Sequence, residues 1–264
     1  MPICAYCLQN RSLCESHAIP DAFFRDISRR NSGKLIVIPE GPGKIHFGKN
    51  SGKAKILCSD CETHFNRLYD SPLVNALKEW DRLICQKGLE VRYDSSPEKI
   101  ATSLAAIFWR ASVSGNNIYA NAKISHSDRA LLLNILKNGQ SKPLQLCSCK
   151  VNRLYDKTSE EDGGFKQKDI SQIILPVSAY RVRWEHAGTT RYVALTVVMQ
   201  GFLFCLMIPR LPFSKRQKAG FLNAKQSKLH APALHLLDYE PLARSLVSGY
   251  KKYLDEDSTI TRYP

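Results

Sequence analysis

The chain has no apolar run long enough to cross a bilayer. Its longest, Tyr192 to Pro209, is broken by Thr196, Gln200 and Gly201 and reads as two strands. No membrane segment and no membrane partner are expected. Only Met1-Pro2-Ile3 precede Cys4, which leaves no room for a charged leader and an apolar core, so the expected compartment is the cytoplasm. An evenly spaced cysteine framework is also missing. The nine cysteines are an odd number, divided into two pairs plus the scattered Cys14, Cys85, Cys147, Cys149 and Cys205, which suits a reducing compartment better than a disulfide scaffold. No internal repeat of useful length is present. Acidic residues are scarce: 24 Asp and Glu face 38 Lys and Arg, a formal charge of +14. Such an excess attracts polyanions, of which nucleic acid is the commonest. Between residues 21 and 55 the imbalance is local, with Arg25, Arg29, Arg30, Lys34, Lys44, Lys49, Lys53 and Lys55 against only Asp21, Asp26 and Glu40.

The cysteines that are paired are informative. Cys4 with Cys7 and Cys58 with Cys61 form two Cys-x-x-Cys knuckles. Two intervening residues let both sulfurs of a pair point to one side of a tight turn and take adjacent corners of a tetrahedron. A redox dithiol or a disulfide would use the same spacing, but two pairs favour one structural zinc with a closed Cys4 shell. Such a site supplies roughly 10 to 16 kcal/mol of apparent binding energy, enough to fold a segment with little core of its own.

With 264 residues, two domains are expected: 1–92 around the zinc and 93–264 after the polar stretch Tyr93-Asp94-Ser95-Ser96-Pro97. In the first, Leu13 to His17 reads as a strand pairing back on the first knuckle. Pro20 opens a helix to about Arg30. Lys34–Pro39 and Lys44–Phe47 form a basic hairpin about Glu40-Gly41-Pro42-Gly43. Ala54–Leu57 leads into the second knuckle, and a helix follows Cys61. In the second, Ser96 caps a helix through Phe108 and Trp109, a helix spans Ser127 to about Lys137, and Leu144 to Leu154 is a strand. Ile173–Trp184, Thr190–Met199 and Phe202–Ile208 form an antiparallel meander, and a last helix runs from Tyr239 to about Leu254. The fold class is α+β: a zinc-braced ββα-type domain with an inserted basic hairpin, then a mixed helical and antiparallel-sheet domain.

The knuckles bracket Glu15-Ser16-His17-Ala18-Ile19-Pro20. A histidine at a strand end beside a zinc-pinned helix suits water activation, since its pKa lies near neutrality. Phosphodiester hydrolysis also needs a divalent ion on oxygen or imidazole ligands. The helix after Cys61 offers Glu62 first, then His64, then Asn66. Cys4-x-x-Cys7, Ser16-His17-x-Ile19-Pro20 and Leu57-Cys58-x-x-Cys61-Glu62 together resemble the zinc-containing branch of the HNH, or ββα-metal, endonucleases, over residues 1 to about 70. The resemblance implies that His17 is the general base, that Glu62 helps bind a catalytic magnesium or similar ion, and that Cys4, Cys7, Cys58 and Cys61 hold structural zinc. It implies a nucleic acid substrate, by default double-stranded DNA. Proteins of similar outline with a later helix like Phe108-Trp109-Arg110-Ala111-Ser112-Val113-Ser114 are uncharacterised bacterial HNH proteins, sometimes near antiviral defence genes. Many members place an acidic ligand before the base and Asn or His after the last cysteine, where this chain has Ser16 and Glu62. Either Glu15 compensates, or Glu62 and water carry the ion, or the site is inactive.

The alternative is a non-catalytic zinc-dependent nucleic-acid-binding protein. A contact with a second copy or another protein through the C-terminal part is a third expectation. Cys147 and Cys149 read as core cysteines, Phe108 and Trp109 as core anchors, and His126, His186, His230 and His235 as structural or exposed. Trp184 and Tyr192 are candidate base-stacking residues, and Lys215-Arg216-Gln217-Lys218 reads as a solvated loop.

Overall fold

A computed structural model describes residues 2–87, 92–93, 96–138, 142–183, 191–226 and 229–255. The first knuckle is closed by backbone bonds from the N–H of Cys4 to the carbonyl of Gln9 (3.0 Å) and from the N–H of Leu8 to that of Cys4 (2.9 Å). Strand β1 (Leu13–His17) does not fold back on that knuckle. It pairs antiparallel with β4 (Lys53–Cys58), and Leu13 opposite Cys58 brings the two knuckles together. The knuckle itself docks on β4 through the N–H of Ala5 and the carbonyl of Ile56 (2.9 Å).

Between these strands, Pro20 stands at the N-cap of α1 (Asp21–Arg30). Phe23 and Ile27 bury one face of that helix, while Asp21 at its start and Arg29 and Arg30 at its end match the helix dipole. The inserted hairpin is β2 (Leu35–Val37) against β3 (His46–Gly48). After β4, α2 (Ser59–Phe65) begins two residues before Cys61, so the second knuckle straddles strand end and first helical turn. A π-helical turn over Asn66–Asp70 then runs directly into α3 (Ser71–Lys87).

Past β5 (Arg92–Tyr93) the central element is α4 (Pro97–Val113), buried almost throughout from Ile100 to Ala111. Its small residues Ala101, Ala105, Ala106 and Ala111 let neighbours close on every side. Ser96 is its N-cap, but the side chain makes no capping bond. A 3-10 turn over Asn117–Ala122 precedes α5 (His126–Lys137), which Ser125 caps by accepting the Asp128 N–H at 3.1 Å. Where one strand was expected from 144 to 154, Pro143 opens the short α6 (Pro143–Leu146) before β6 (Ser148–Tyr155).

After α7 (Gln167–Ile170) come β7 (Leu175–Arg183), β8 (Arg191–Met199) and β9 (Phe202–Ile208). They form the expected meander, and Gln200-Gly201 turn it with positive φ at both positions (52° and 74°). α8 (Phe213–Arg216), β10 (Leu229–His230), β11 (Ala233–His235) and α9 (Glu240–Leu254) follow among the described residues. The main sheet has the order β11-β6-β9-β8-β7, antiparallel except for β11 beside β6. One buried cluster runs from Cys4 through α4 to this sheet. No described helix is long and apolar enough to cross a membrane.

Candidate active site and metal centre

The four paired cysteines converge. Their Sγ atoms all lie within 4.8 Å of one another, and those of Cys7 and Cys58 are 3.9 Å apart. Tetrahedral zinc with Zn–S bonds of about 2.3 Å sets sulfurs roughly 3.8 Å apart, so the cage has the size for zinc and is too wide for a disulfide. All described cysteines are free thiols. Leu8 takes a positive φ of 62° beside Cys7, a conformation costly for a residue with a Cβ and tolerated to close the turn. Burial works to raise the Cys4 thiol, but backbone N–H groups of Cys7, Cys58 and Tyr6 outweigh it and bring the pKa to about 7. The Cys61 thiol is pushed well up, first by burial and then by bonds to Cys58, Cys4 and Cys7. Four such sulfurs can all ionise only around a cation. The cluster can therefore bind a zinc ion structurally.

His17 closes β1 opposite Lys53. Ile19 is wholly buried and Pro20 starts α1, so the run His-Ala-Ile-Pro clamps the histidine between strand and helix. Its ring stacks on Phe24 with centroids 6.2 Å apart. Nε2 lies 2.8 Å from Ser51 Oγ and 3.1 Å from Asp21 Oδ1. A carboxylate only accepts, so the neutral ring carries its proton on Nε2 and leaves Nδ1 as the base, an assignment made from the bonding network. A Ser-His-Asp relay needs hydroxyl and carboxylate on opposite nitrogens, and here both meet Nε2. Burial lowers the His17 pKa below its ordinary 6.5, with Asp21 opposing and Lys53 and Arg110 reinforcing the fall. The imidazole is neutral at neutral pH.

Glu62 sits on α2 just past Cys61. Its Oε2 is sealed from water and has no hydrogen-bond partner, and the same holds for Ser16 Oγ. Cys14 lies beside both: burial and then the Glu62 charge raise its thiol, while its own backbone and Ser16 lower it. A sealed, undonated carboxylate oxygen calls for a cation. Glu15 does not join Glu62 and Ser16; it pairs at the surface with Lys53 at 3.5 Å. His64 packs against the rings of Tyr6 and Tyr69, and Asn66 Oδ1 accepts the Ser71 hydroxyl. Of the three helix candidates, Glu62 alone has a sealed side-chain oxygen without a partner among the described residues.

Compared with protein-family models, curated proteins and solved structures, the chain matches none.

A residue to which no role was assigned from sequence acts electrostatically on both His17 and Glu62. The Arg110 guanidinium is fully buried, donates to both Asp70 oxygens at 2.9 and 2.5 Å, and lies 5.3 Å from the Phe65 ring centre. Its charge lowers the His17 pKa, and Glu62 in turn helps hold Arg110 protonated. The signal was present: Arg110 is the sole charge between Lys99 and Lys123. Asp70 reaches it from the π turn, a distortion common at functional sites. Tyr119 adds a further sealed, unpaired hydroxyl against Gly52. A Cβ on Gly52 would stand 2.5 Å from that oxygen, and its φ of 77° also demands glycine.

Elsewhere Cys147, Cys149, Phe108 and Trp109 are buried as expected. Tyr192 is buried and offers no stacking face, and Trp184 and His186 lie outside the described residues. The basic excess between residues 21 and 55 is partly neutralised, since Arg25 pairs with Asp21 and Arg30 with Asp26. Arg29, Lys49 and Lys55 are exposed, with no carboxylate partner among the described residues.

Proposed function

We propose that the chain is a metal-dependent HNH-type endonuclease that hydrolyses phosphodiester bonds, with double-stranded DNA as the default substrate. The observation that carries this reading is a neutral His17 clamped through Nε2 by Ser51 and Asp21 on the strand that starts beside a zinc-sized cysteine cage, with Glu62 on the helix that leaves the same cage. Asp21 and Ser51 fix the ring through Nε2, so Nδ1 is aimed and ready to take a proton from water. The buildup of positive charge on the ring is then offset by Asp21, 3.1 Å away. Glu62, half-buried on α2, would supply the anionic ligand for a divalent ion, whose charge would stabilise the phosphate oxygens. Zinc in the cysteine cage fixes where β1, β4 and α2 meet and takes no part in the reaction. Exposed Arg29, Lys49 and Lys55 grip the substrate backbone.

Plasmid and linear duplex DNA incubated with zinc-loaded protein test this. Cleavage is expected with magnesium or manganese and none after chelation of that ion with zinc retained. Salt-sensitive binding with no cleavage under any of magnesium, manganese or nickel would replace the nuclease with a binding protein.

A further inference from the structure

The C-terminal half carries a second constellation remote in the chain from His17. Two adjoining cavities of about 340 and 250 Å³ share Arg216, Leu222 and Asn223 as a common wall. Together they are lined by five cationic side chains: Lys142, Arg210, Arg216, Lys218 and Lys225. None of the five has a carboxylate within ion-pair distance among the described residues. The one acid on the wall, Glu98, accepts the Leu144 N–H at 3.2 Å and feels the charge of Arg210, so five cations share a single carboxylate. Burial and the neighbouring charge of Arg210 lower the pKa of Arg216. Like charges gathered around a concavity repel one another unless an anion sits among them.

The wall is also rigid. Arg216, expected in a solvated loop, ends α8 with Nε donating to the Leu211 carbonyl at 2.9 Å. The Leu211 N–H donates to Ser148 Oγ at 2.9 Å. The segment Gly220–Leu222 is stitched to β6 by the Val151 N–H on the Gly220 carbonyl (2.9 Å) and the Leu222 N–H on the Cys149 carbonyl (2.8 Å). Gly220 has φ of 89°, and a Cβ there would stand 2.7 Å from the Val151 carbonyl oxygen, so this close approach needs glycine. Above the cations stands Phe213, whose ring is two-thirds exposed with the Arg216 guanidinium 5.7 Å from its centre. An exposed ring beside guanidinium groups is a platform for a flat base with a phosphate attached.

We infer that this two-lobed basic pocket binds a free nucleotide, with phosphates held by Arg210, Arg216, Lys142 and Lys225 and the base stacked on Phe213. The volumes favour a small ligand over a nucleic acid duplex, because cavities of this size match small-molecule sites, roughly 300 to 1,000 Å³ in volume, whereas a duplex lies on an open face. The site is independent of the nuclease reading: Glu98 at one end of α4 lines it, while Arg110 near the other end pairs with Asp70.

Calorimetric titration of the full zinc-loaded chain with ATP, GTP, AMP and inorganic pyrophosphate tests the inference, with a short single-stranded oligonucleotide as a separate arm. Saturable binding of at least one nucleotide is expected, weakened about tenfold or more by Lys142→Glu with Lys225→Glu. Phe213→Ala should weaken nucleotides while sparing pyrophosphate. Lys251→Glu, on the exposed face of α9, should change nothing. The charge-reversal positions are surface residues, and an unchanged melting curve certifies the fold if binding is lost. No nucleotide binding at millimolar concentration, binding unaffected by the pocket substitutions, or pocket-dependent binding of the oligonucleotide alone would each overturn it.

Discussion

Asp70→Asn should unfold this protein more readily than any surface substitution. The Arg110 guanidinium is fully buried and Asp70 only 12% exposed, so the charge of Arg110 is balanced chiefly by Asp70, with Glu62 adding to it, in a region of low polarisability. Removing one partner of such a pair costs about 3 to 5 kcal/mol, because the remaining ion is left uncompensated. For a chain of this size each kcal/mol moves the melting temperature by roughly 2 to 4 °C, which gives a fall of about 6 to 20 °C. Arg110→Met alone should cost about as much, because it strands the Asp70 carboxylate and removes the cation next to Phe65. The double replacement Asp70→Leu with Arg110→Met should recover most of the loss, since a packed apolar pair of similar volume needs no desolvation. Urea denaturation monitored by circular dichroism, with zinc held constant, measures Asp70→Asn and the four corners of the cycle formed by wild type, Asp70→Leu, Arg110→Met and the double replacement. Singles within about 1 kcal/mol of wild type, or a double as unstable as the singles combined, would refute the argument that the pair is held by mutual compensation in the core.

Cys58→Ser should reduce bound zinc from one ion per chain to none and melt β1, β4 and α2, as read by elemental analysis and amide hydrogen exchange, while Cys147→Ala should keep the zinc. The depressed His17 pKa makes the unfolded chain the better proton binder, so stability falls as pH drops below 6.5 toward the folded-state pKa. His17→Gln should flatten that part of the pH–stability curve, and an unchanged slope would show that His17 is not the group responsible. Lys252 donates its ammonium to the carbonyls of Pro39 (2.8 Å), Gly41 (2.7 Å) and Gly43 (2.8 Å), so α9 clasps the tip of the basic hairpin. Lys252→Met should speed tryptic cleavage at Lys44 and Lys49, and an unaltered digestion rate would mean that the clasp does not restrain the hairpin.

Much of this architecture could be read from local chemistry. β1, α1, the inserted hairpin, α5, the meander and α9 were legible because period-2 or helical patterning and turn residues agreed with one another at each. Cysteine spacing gave the cage, since Cys-x-x-Cys constrains geometry over a few residues. What escaped was tertiary. The pairing of β1 with β4 rather than with the first knuckle depends on the sulfurs meeting across 51 residues, from Cys7 to Cys58. Pro143 stands just before what looks like one strand, and at the first helical position it turns residues 143–146 into a short helix before β6 begins at Ser148. Around the site, His17 and Glu62 stood out because their positions are set by neighbours in sequence. Ser51, Asp70, Arg110 and Tyr119 come from four distant segments, and only the lone charge of Arg110 in an apolar helix hinted at a buried ion pair.

Single-turnover cleavage of duplex DNA by wild type, His17→Ala and Glu62→Gln, each zinc-loaded and saturated with manganese, tests the central claim most directly. Loss of a positioned base is expected to slow cleavage by about 10² to 10⁴ in His17→Ala. Glu62→Gln should bind manganese more weakly and cut more slowly at limiting metal. Cleavage by His17→Ala at the wild-type rate would contradict the account.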